Sequence, residues 1–369
     1  MMRGMKRVSL TPAVFHLPAE VARVAPRYAD NPVVPRGPGL APVIERLSRR
    51  LGDALGCAHS HSPVILTCSG SGAIAAALGG CVDERGILVC ENGAYGERQA
   101  RYAGQIGLKT IVYSLPYGER PDPGEVRRLA KLHGVSAIGM VHGATSTCSV
   151  NPIAEVGQVA DELGLTFLVD GIASVFVEEL DLEACHIDVL IASTNKGLHS
   201  NPDLAFVMVE RGLLSRVDSR PGLLPYLDLG EAHRAQAQGS HPYTLNVRAL
   251  LEMDAALDAL QREGGVAGRI GIYRARTAVL REGYARLGLR TFEQPGMPLQ
   301  NIGTALHLPE GVEYEALAQR LADWKREDES YQIYSAQGKL SSSVFRVFNM
   351  GEYELDTYRR FLVALEASL

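Results

Sequence analysis

Four short stretches carry residues able to do chemistry together. Lys196 ends the polar run Ser193-Thr-Asn-Lys196, directly after an apolar stretch. Asp170 closes the run Leu165-Thr-Phe-Leu-Val-Asp170. Leu66-Thr-Cys-Ser-Gly-Ser-Gly-Ala73 is rich in small residues at the junction of an apolar run and a helical pattern. Tyr95 lies on the glycine-flanked segment Glu91-Asn-Gly-Ala-Tyr95-Gly-Glu-Arg98. A lysine amine, a buried acid, an anion cradle and a flat aromatic face are what a protein must supply to pyridoxal 5′-phosphate (PLP). The amine forms a Schiff base with the aldehyde. The acid keeps the pyridine nitrogen protonated, so the ring drains electrons from a substrate carbanion. Small residues let backbone N–H groups converge on a phosphate at the helix start. Desolvation beside a cationic ring favours the neutral, nucleophilic lysine.

A second reading competes for the small-residue stretch. Gly70-x-Gly72-x-x-Ala75 satisfies the dinucleotide fingerprint, and Glu91 follows 21 residues on (91 − 70), where a ribose-binding acid belongs. That reading leaves Asp170 and Lys196 without a task.

The elements that must hold these residues are legible as a pattern. Apolar runs rich in β-branched residues recur at Val64–Thr67, Ile87–Cys90, Thr110–Tyr113, Ala137–Val141, Thr166–Val169, Val189–Ala192 and Leu204–Val209. Helical patterns such as Pro152–Leu163 lie between most of them. This alternation predicts an α/β fold with a mostly parallel seven-stranded sheet covered on both faces. The last two runs are joined by a short loop, which allows an antiparallel strand. In a parallel sheet the carboxyl ends of the strands bind ligands. Asp170 and Lys196 are 26 residues apart (196 − 170), one strand–loop–strand, so each reaches the same ligand from a neighbouring strand end. Beyond Glu210 helical patterns dominate, including Val266–Leu287, with strand-like Gly303–Leu308 and Val344–Phe348 and a final helix over Glu354–Leu365. The expected organisation is a large domain over 17–250 and a smaller C-terminal α/β domain over 251–369, joined by the N-terminal segment 1–16.

Composition narrows the function classes. The chain has 369 residues, 46% hydrophobic and 21% charged, which suits a globular protein with ample core. A net charge of −5 argues against nucleic acid or a membrane surface as partner. No apolar run approaches the roughly 18 residues of a membrane span. Arg3, Lys6 and Arg7 are followed by no long apolar segment, so a signal peptide is not expected. Six cysteines without a CxxC pair read as reduced thiols in a cytoplasmic protein, and His59 and His61 lie next to no cysteine pair that would make a zinc site.

Taken jointly, Asn92-Gly-Ala-Tyr-Gly-x-Arg98, His142-Gly-x-Thr-Ser-Thr147, Asn151-Pro-Ile153 and Ser193-Thr-Asn-Lys196 resemble the class V aminotransferases of PLP fold type I. The likeness is strongest to the branch that uses 2-aminoethylphosphonate. The resemblance implies Lys196 as the Schiff-base lysine and Asp170 as the pyridinium partner. It implies Ser71, Gly72 and Ala73 at the phosphate, Tyr95 stacked on the ring, Thr147 near its phenolic oxygen, and Asn195 as a polar neighbour. It implies a homodimer with the site at the subunit interface, where Ser240 and Thr244 of a neighbouring chain add a phosphate contact. Arg346, in Val344-Phe-Arg-Val-Phe348, matches the arginine that grips a substrate carboxylate, and a guanidinium fork is well suited to that task.

Several positions depart from the family pattern: Ala144 where a glutamate is usual, Cys148 and Gly171 in place of glycine and alanine, and Gly197-Leu-His-Ser200 after the lysine. His199 and Cys148 become candidates for unusual substrate contacts. The expected activity is transfer of an amino group from a small amine or amino acid, 2-aminoethylphosphonate-like, to a 2-oxo acid such as pyruvate. The alternatives are a PLP-dependent lyase on a modified amino acid or phosphonate, the dinucleotide enzyme above, and a silent PLP-binding regulator.

Overall fold

The computed structural model describes residues 6–217, 224–326 and 329–369. Seven strands form the central sheet, in the spatial order His61–Leu66, Ala205–Glu210, Val189–Ser193, Thr166–Asp170, Ala137–Val141, Ile87–Glu91 and Thr110–Ser114. Ala205–Glu210 is antiparallel to both of its neighbours, and the remaining pairs are parallel. The seven apolar runs are therefore the seven strands. The inner strands are buried on both faces because helices cover both faces, which is why they read as continuous rather than alternating apolar runs, while the edge strand Thr110–Ser114 stays partly exposed at Val112.

Local signals fix the connecting helices. Asp122 caps Pro123–His133 by accepting from the N–H groups of Gly124 and Glu125, and proline occupies the first turn where no N–H is needed. That helix stops at Gly134 with φ 59°, a left-handed C-terminal residue that glycine adopts without strain.

The sheet separates two apolar layers. One joins Leu88, Ile138, Phe167 and Leu190 to the helices Ala41–Ala54 and Val247–Arg262; the other packs Gly70–Cys81 on the opposite face. A third cluster holds the C-terminal unit, in which Gly303–His307, Val344–Phe348 and Tyr334–Ser335 form a three-stranded antiparallel sheet covered by Gly265–Arg286 and Leu355–Ser368.

The expected division at residue 250 falls inside the Val247–Arg262 helix. Leu250, Met253, Ala256 and Leu260 of that helix sit in the large-domain core, whereas Tyr273, Leu280 and Tyr284 of the next helix belong to the C-terminal cluster. The change of core comes at Gly264 and Gly265, both at positive φ. Of the N-terminal segment, residues 1–5 lie outside the described residues. Lys6–Ser9 adds as a parallel strand to Glu329–Gln332, and Val8, Leu10 and Phe15 pack into the C-terminal core.

Candidate active site

A cavity of ≈ 160 Å³ opens at the carboxyl ends of the parallel strands. Its wall includes Ser69, Ser71, Tyr95, Arg98, Thr145, Asp170, Ser193, Asn195 and Lys196. Register brings the two central groups together. Asp170 pairs with Ile191 across adjacent parallel strands, and Lys196 follows the strand that contains Ile191 by one short loop.

Asp170 is buried, and its Oδ1 accepts from the Ile172 N–H at 3.0 Å. Burial pushes its carboxyl up to about 6, opposed by that N–H and by the charges of Arg98 and Lys196. A buried carboxylate without a bonded cation suits a ligand that brings a cation to it.

The Lys196 amine donates to the carbonyl oxygen of Pro12. Burial, then the positive charges of Arg346 and Arg98, lower it to about 8, with Asp170 opposing. It therefore reaches the neutral, nucleophilic form far more readily than an ordinary lysine. The turn beneath it is tightly determined. His199 N–H donates to the Lys196 carbonyl, Ser200 N–H to Thr194, and the fully buried Arg269 donates to the Gly197 carbonyl at 2.5 Å. A Cβ at Gly197 would lie 2.2 Å from the Val175 oxygen, so only glycine fits there.

At the start of Gly70–Cys81, the N–H groups of Gly72 and Ala73 already bond the Ser69 carbonyl. The groups free for an anion are the N–H of Gly70 and Ser71 and the hydroxyls of Ser69 and Ser71. Of the three expected phosphate residues, Ser71 lines the cavity, while Gly72 and Ala73 lie behind it in the helix. Tyr95 and Asn195 both line the cavity, and Asn195 Oδ1 accepts from the Ser193 hydroxyl at 3.0 Å.

Three expected placements come out differently. Thr147 is fully buried, away from the cavity, bonded to Ser149 at 2.7 Å and to the Ala144 carbonyl at 3.3 Å. The reason is a turn: Thr147 N–H closes onto Ala144, so the chain reverses and Thr145 faces the cavity instead. His199 is also fully buried, but at the domain junction. Its Nε2 accepts from Gly351 N–H at 3.3 Å and pairs with the Tyr273 hydroxyl at 2.7 Å. Burial holds it well below the ordinary histidine range, so it is neutral and structural in its contacts. Cys148 is buried at φ 53°, with its thiol against the Thr145 carbonyl at 3.8 Å, and burial pushes that thiol up to about 12.

Arg346 is fully buried behind Thr145. Nη1 donates to the Thr145 carbonyl at 2.7 Å, and Nε and Nη2 donate to Ser335 at 3.0 and 2.7 Å. Guanidinium carries five N–H groups, so one remains on each of Nη1 and Nη2, although Arg346 itself is not part of the cavity wall. Ser240 is half-buried and Thr244 exposed, and neither lines this chain's own cavity. Sequence reasoning missed Arg98 and Thr145 as wall residues. Arg98 was findable, since it lies three residues after Tyr95 on one helix face.

Glu91 decides against a dinucleotide. Its carboxylate accepts from the Ser114 hydroxyl at 2.9 Å, and it is not part of the cavity wall. Among the described residues no group of His, Cys, Asp or Glu is placed to hold a metal ion, and no helix is long and apolar enough to cross a membrane.

A lysine with its basicity lowered by burial and a buried acid at neighbouring strand ends, beside a helix start and an aromatic face, define a pyridoxal-phosphate-dependent transferase of the aminotransferase fold. Comparison with known proteins agrees. A family model described as aminotransferase class-V matches residues 55–281. The chain is 31% identical over 334 residues to a 2-aminoethylphosphonate–pyruvate transaminase of Salmonella paratyphi B, with 89% of each chain covered. It superposes with a TM-score of 0.87 on an aspartate aminotransferase of subgroup IV from Thermus thermophilus, at 26% identity, covering 98% of this chain and 100% of that one. An alanine–glyoxylate aminotransferase from Nostoc sp. shares the fold at a TM-score of 0.88 and 22% identity, covering 98% and 95%. The chain belongs to the class-V aminotransferases and is a PLP-dependent enzyme.

Proposed function

We propose that the protein moves an amino group from a small amine of the 2-aminoethylphosphonate kind to a 2-oxo acid such as pyruvate. The observation that carries this reading is Arg346: buried, without an acidic partner among the described residues, and with one N–H on each of Nη1 and Nη2 uncommitted. An arginine in that state is organised for an anionic substrate group. The curated transaminase that is 31% identical acts, by its name, on 2-aminoethylphosphonate and pyruvate, which supports the same donor and acceptor here.

The residues fit the cofactor by chemistry. Lys196 offers the amine, Asp170 the anion for a ring cation, Tyr95 the flat face, and Ser69–Ser71 the phosphate donors. PLP, when bound, supplies the electron sink that makes the proton on the amine-bearing carbon removable. Lys196, lowered to about 8, would be the group that takes that proton and returns it. Arg346 holds the anionic group of each substrate in turn. Asp170, pushed up by burial, would be held in its ionised form by a cation set against it. The net reaction exchanges an amine and a 2-oxo acid for a carbonyl compound and an amino acid.

The same reading includes a homodimer in which Ser240 and Thr244 reach the neighbour's cradle, supported by their absence from this chain's own cavity wall. A cytoplasmic setting is supported by six free cysteines.

The test mixes the holoenzyme with 2-aminoethylphosphonate alone, then adds pyruvate. Conversion to the aminated cofactor with release of an aldehyde, followed by alanine formation, is the expected result. Release of ammonia or phosphate without the aminated cofactor would replace this reading with lyase chemistry.

A further inference from the structure

Arg98 has no task in the chemistry above, yet it stands on the cavity wall. It lies on the first turns of Ala94–Gln105, one helical turn after Tyr95. Its guanidinium carbon is 4.9 Å from the centroid of the Tyr95 ring, and its Nη1 reaches the Ser71 hydroxyl at 3.5 Å. Among the described residues it makes no ion pair, although exposed arginines such as Arg85 and Arg128 find carboxylates. Its charge is felt at the heart of the site, where it lowers both Asp170 and Lys196.

The charges in the cavity do not balance the ligand without it. A phosphate monoester carries about 1.5 to 2 negative charges near neutral pH. The start of Gly70–Cys81 offers only neutral donors: two N–H groups and two hydroxyls. Lys196 would be taken up by the aldehyde carbon of the ligand, and Arg346, bonded to Thr145 and Ser335, keeps its remaining N–H groups for the substrate anion. Burying a dianion on neutral donors alone is costly. Arg98 is the cation whose hydrogen-bonding edge already touches the cradle.

We propose that Arg98 is the charge partner of the cofactor's phosphate, held ready by the face of Tyr95 and aimed by Ser71. The inference rests on the reading of Ser69–Ser71 as the phosphate cradle. Stacking on Tyr95 restricts the guanidinium before the ligand arrives, so less freedom is lost on binding. The arrangement couples the two ends of the first helical turn: Tyr95 for the ring, Arg98 for the phosphate.

The experiment removes the cofactor from the holoenzyme and titrates the apo protein with PLP and with pyridoxal, which lacks the phosphate, following absorbance. Arg98→Met is expected to weaken PLP about ten- to a hundredfold, the worth of one charge-assisted hydrogen bond, and to leave pyridoxal within about twofold of wild type. Arg98→Lys should fall between, and serves if the methionine variant does not fold. Inorganic phosphate should compete with PLP in the wild type and much less in Arg98→Met, with Arg98→Lys between them. Equal losses for PLP and pyridoxal, or no loss for either, would overturn the assignment. Ser71→Ala separates this from the underlying reading. If Ser71→Ala leaves the preference for PLP over pyridoxal untouched, the cradle is misplaced. If it erodes that preference while the Arg98 variants do not, only the role of Arg98 fails.

Discussion

The amine of Lys196 is hydrogen-bonded to the backbone carbonyl of Pro12, a residue 184 positions earlier in the chain. That single bond joins the reactive group of the large domain to a segment anchored elsewhere. Pro12 follows Leu10, whose N–H donates to Gln332 and whose carbonyl accepts from Phe348, both in the C-terminal unit. The lysine is thus held by the region that also carries Arg346.

The first prediction concerns pH. Burial and the neighbouring charge of Arg346 bring the Lys196 amine to about 8, from an ordinary value of 10.5. Only the neutral amine attacks an aldehyde, so capture of PLP by the apo protein should accelerate as pH rises through about 8 and level off above it. Arg346→Met removes one of the depressing charges and should move the midpoint upward. Stopped-flow absorbance gives both values. A wild-type midpoint at the ordinary lysine value would contradict the electrostatics of the site.

Asp170→Asn is the second. The amide oxygen still accepts from Ile172 N–H, so the variant should fold with little change in melting temperature. It lacks the anion for a ring cation, and kcat should fall by at least about a hundredfold, as when a preorganised electrostatic partner is lost. A variant within a few-fold of wild type would remove Asp170 from the chemistry.

Arg346→Lys tests anion binding. The ammonium cannot serve Thr145, Ser335 and a carboxylate in one fixed geometry. The KM for the 2-oxo acid should rise about ten- to a hundredfold, with a smaller change in kcat. Steady-state kinetics with pyruvate decides it. An unchanged KM would place the anion site elsewhere.

His199→Leu separates stability from chemistry. The variant loses the bonds to Tyr273 and Gly351 and strands two buried partners, which should cost about 1–3 kcal/mol in denaturant unfolding. Substrate KM should stay within about twofold. A selective rise in KM with unchanged stability would return His199 to the list of substrate contacts.

The sheet was legible because its inner strands are buried on both faces and so appear as unbroken apolar runs between helical patterns. Asp170 and Lys196 were legible because chemistry restricts what a strand-end acid and lysine can do together. Thr147 was not. A motif fixes spacing, but the turn at Ala144–Thr147 decides which hydroxyl faces inward, and that turn depends on long-range contacts such as Gln300 N–H on the Cys148 carbonyl. His199 failed for a related reason. Its φ of 60° swings the side chain out of the loop and toward Tyr273, which no local pattern announces. The expected boundary at 250 cuts the Val247–Arg262 helix, because an apolar helix face does not itself announce which core it packs on.

The strand Lys6–Ser9 gives the segment leading to Pro12 an unusual standing. The pairing of Lys6–Ser9 with Glu329–Gln332 and the bond from Lys196 to Pro12 lie on one short stretch of chain, so a disturbance of that pairing is passed to the amine through six residues of backbone or fewer.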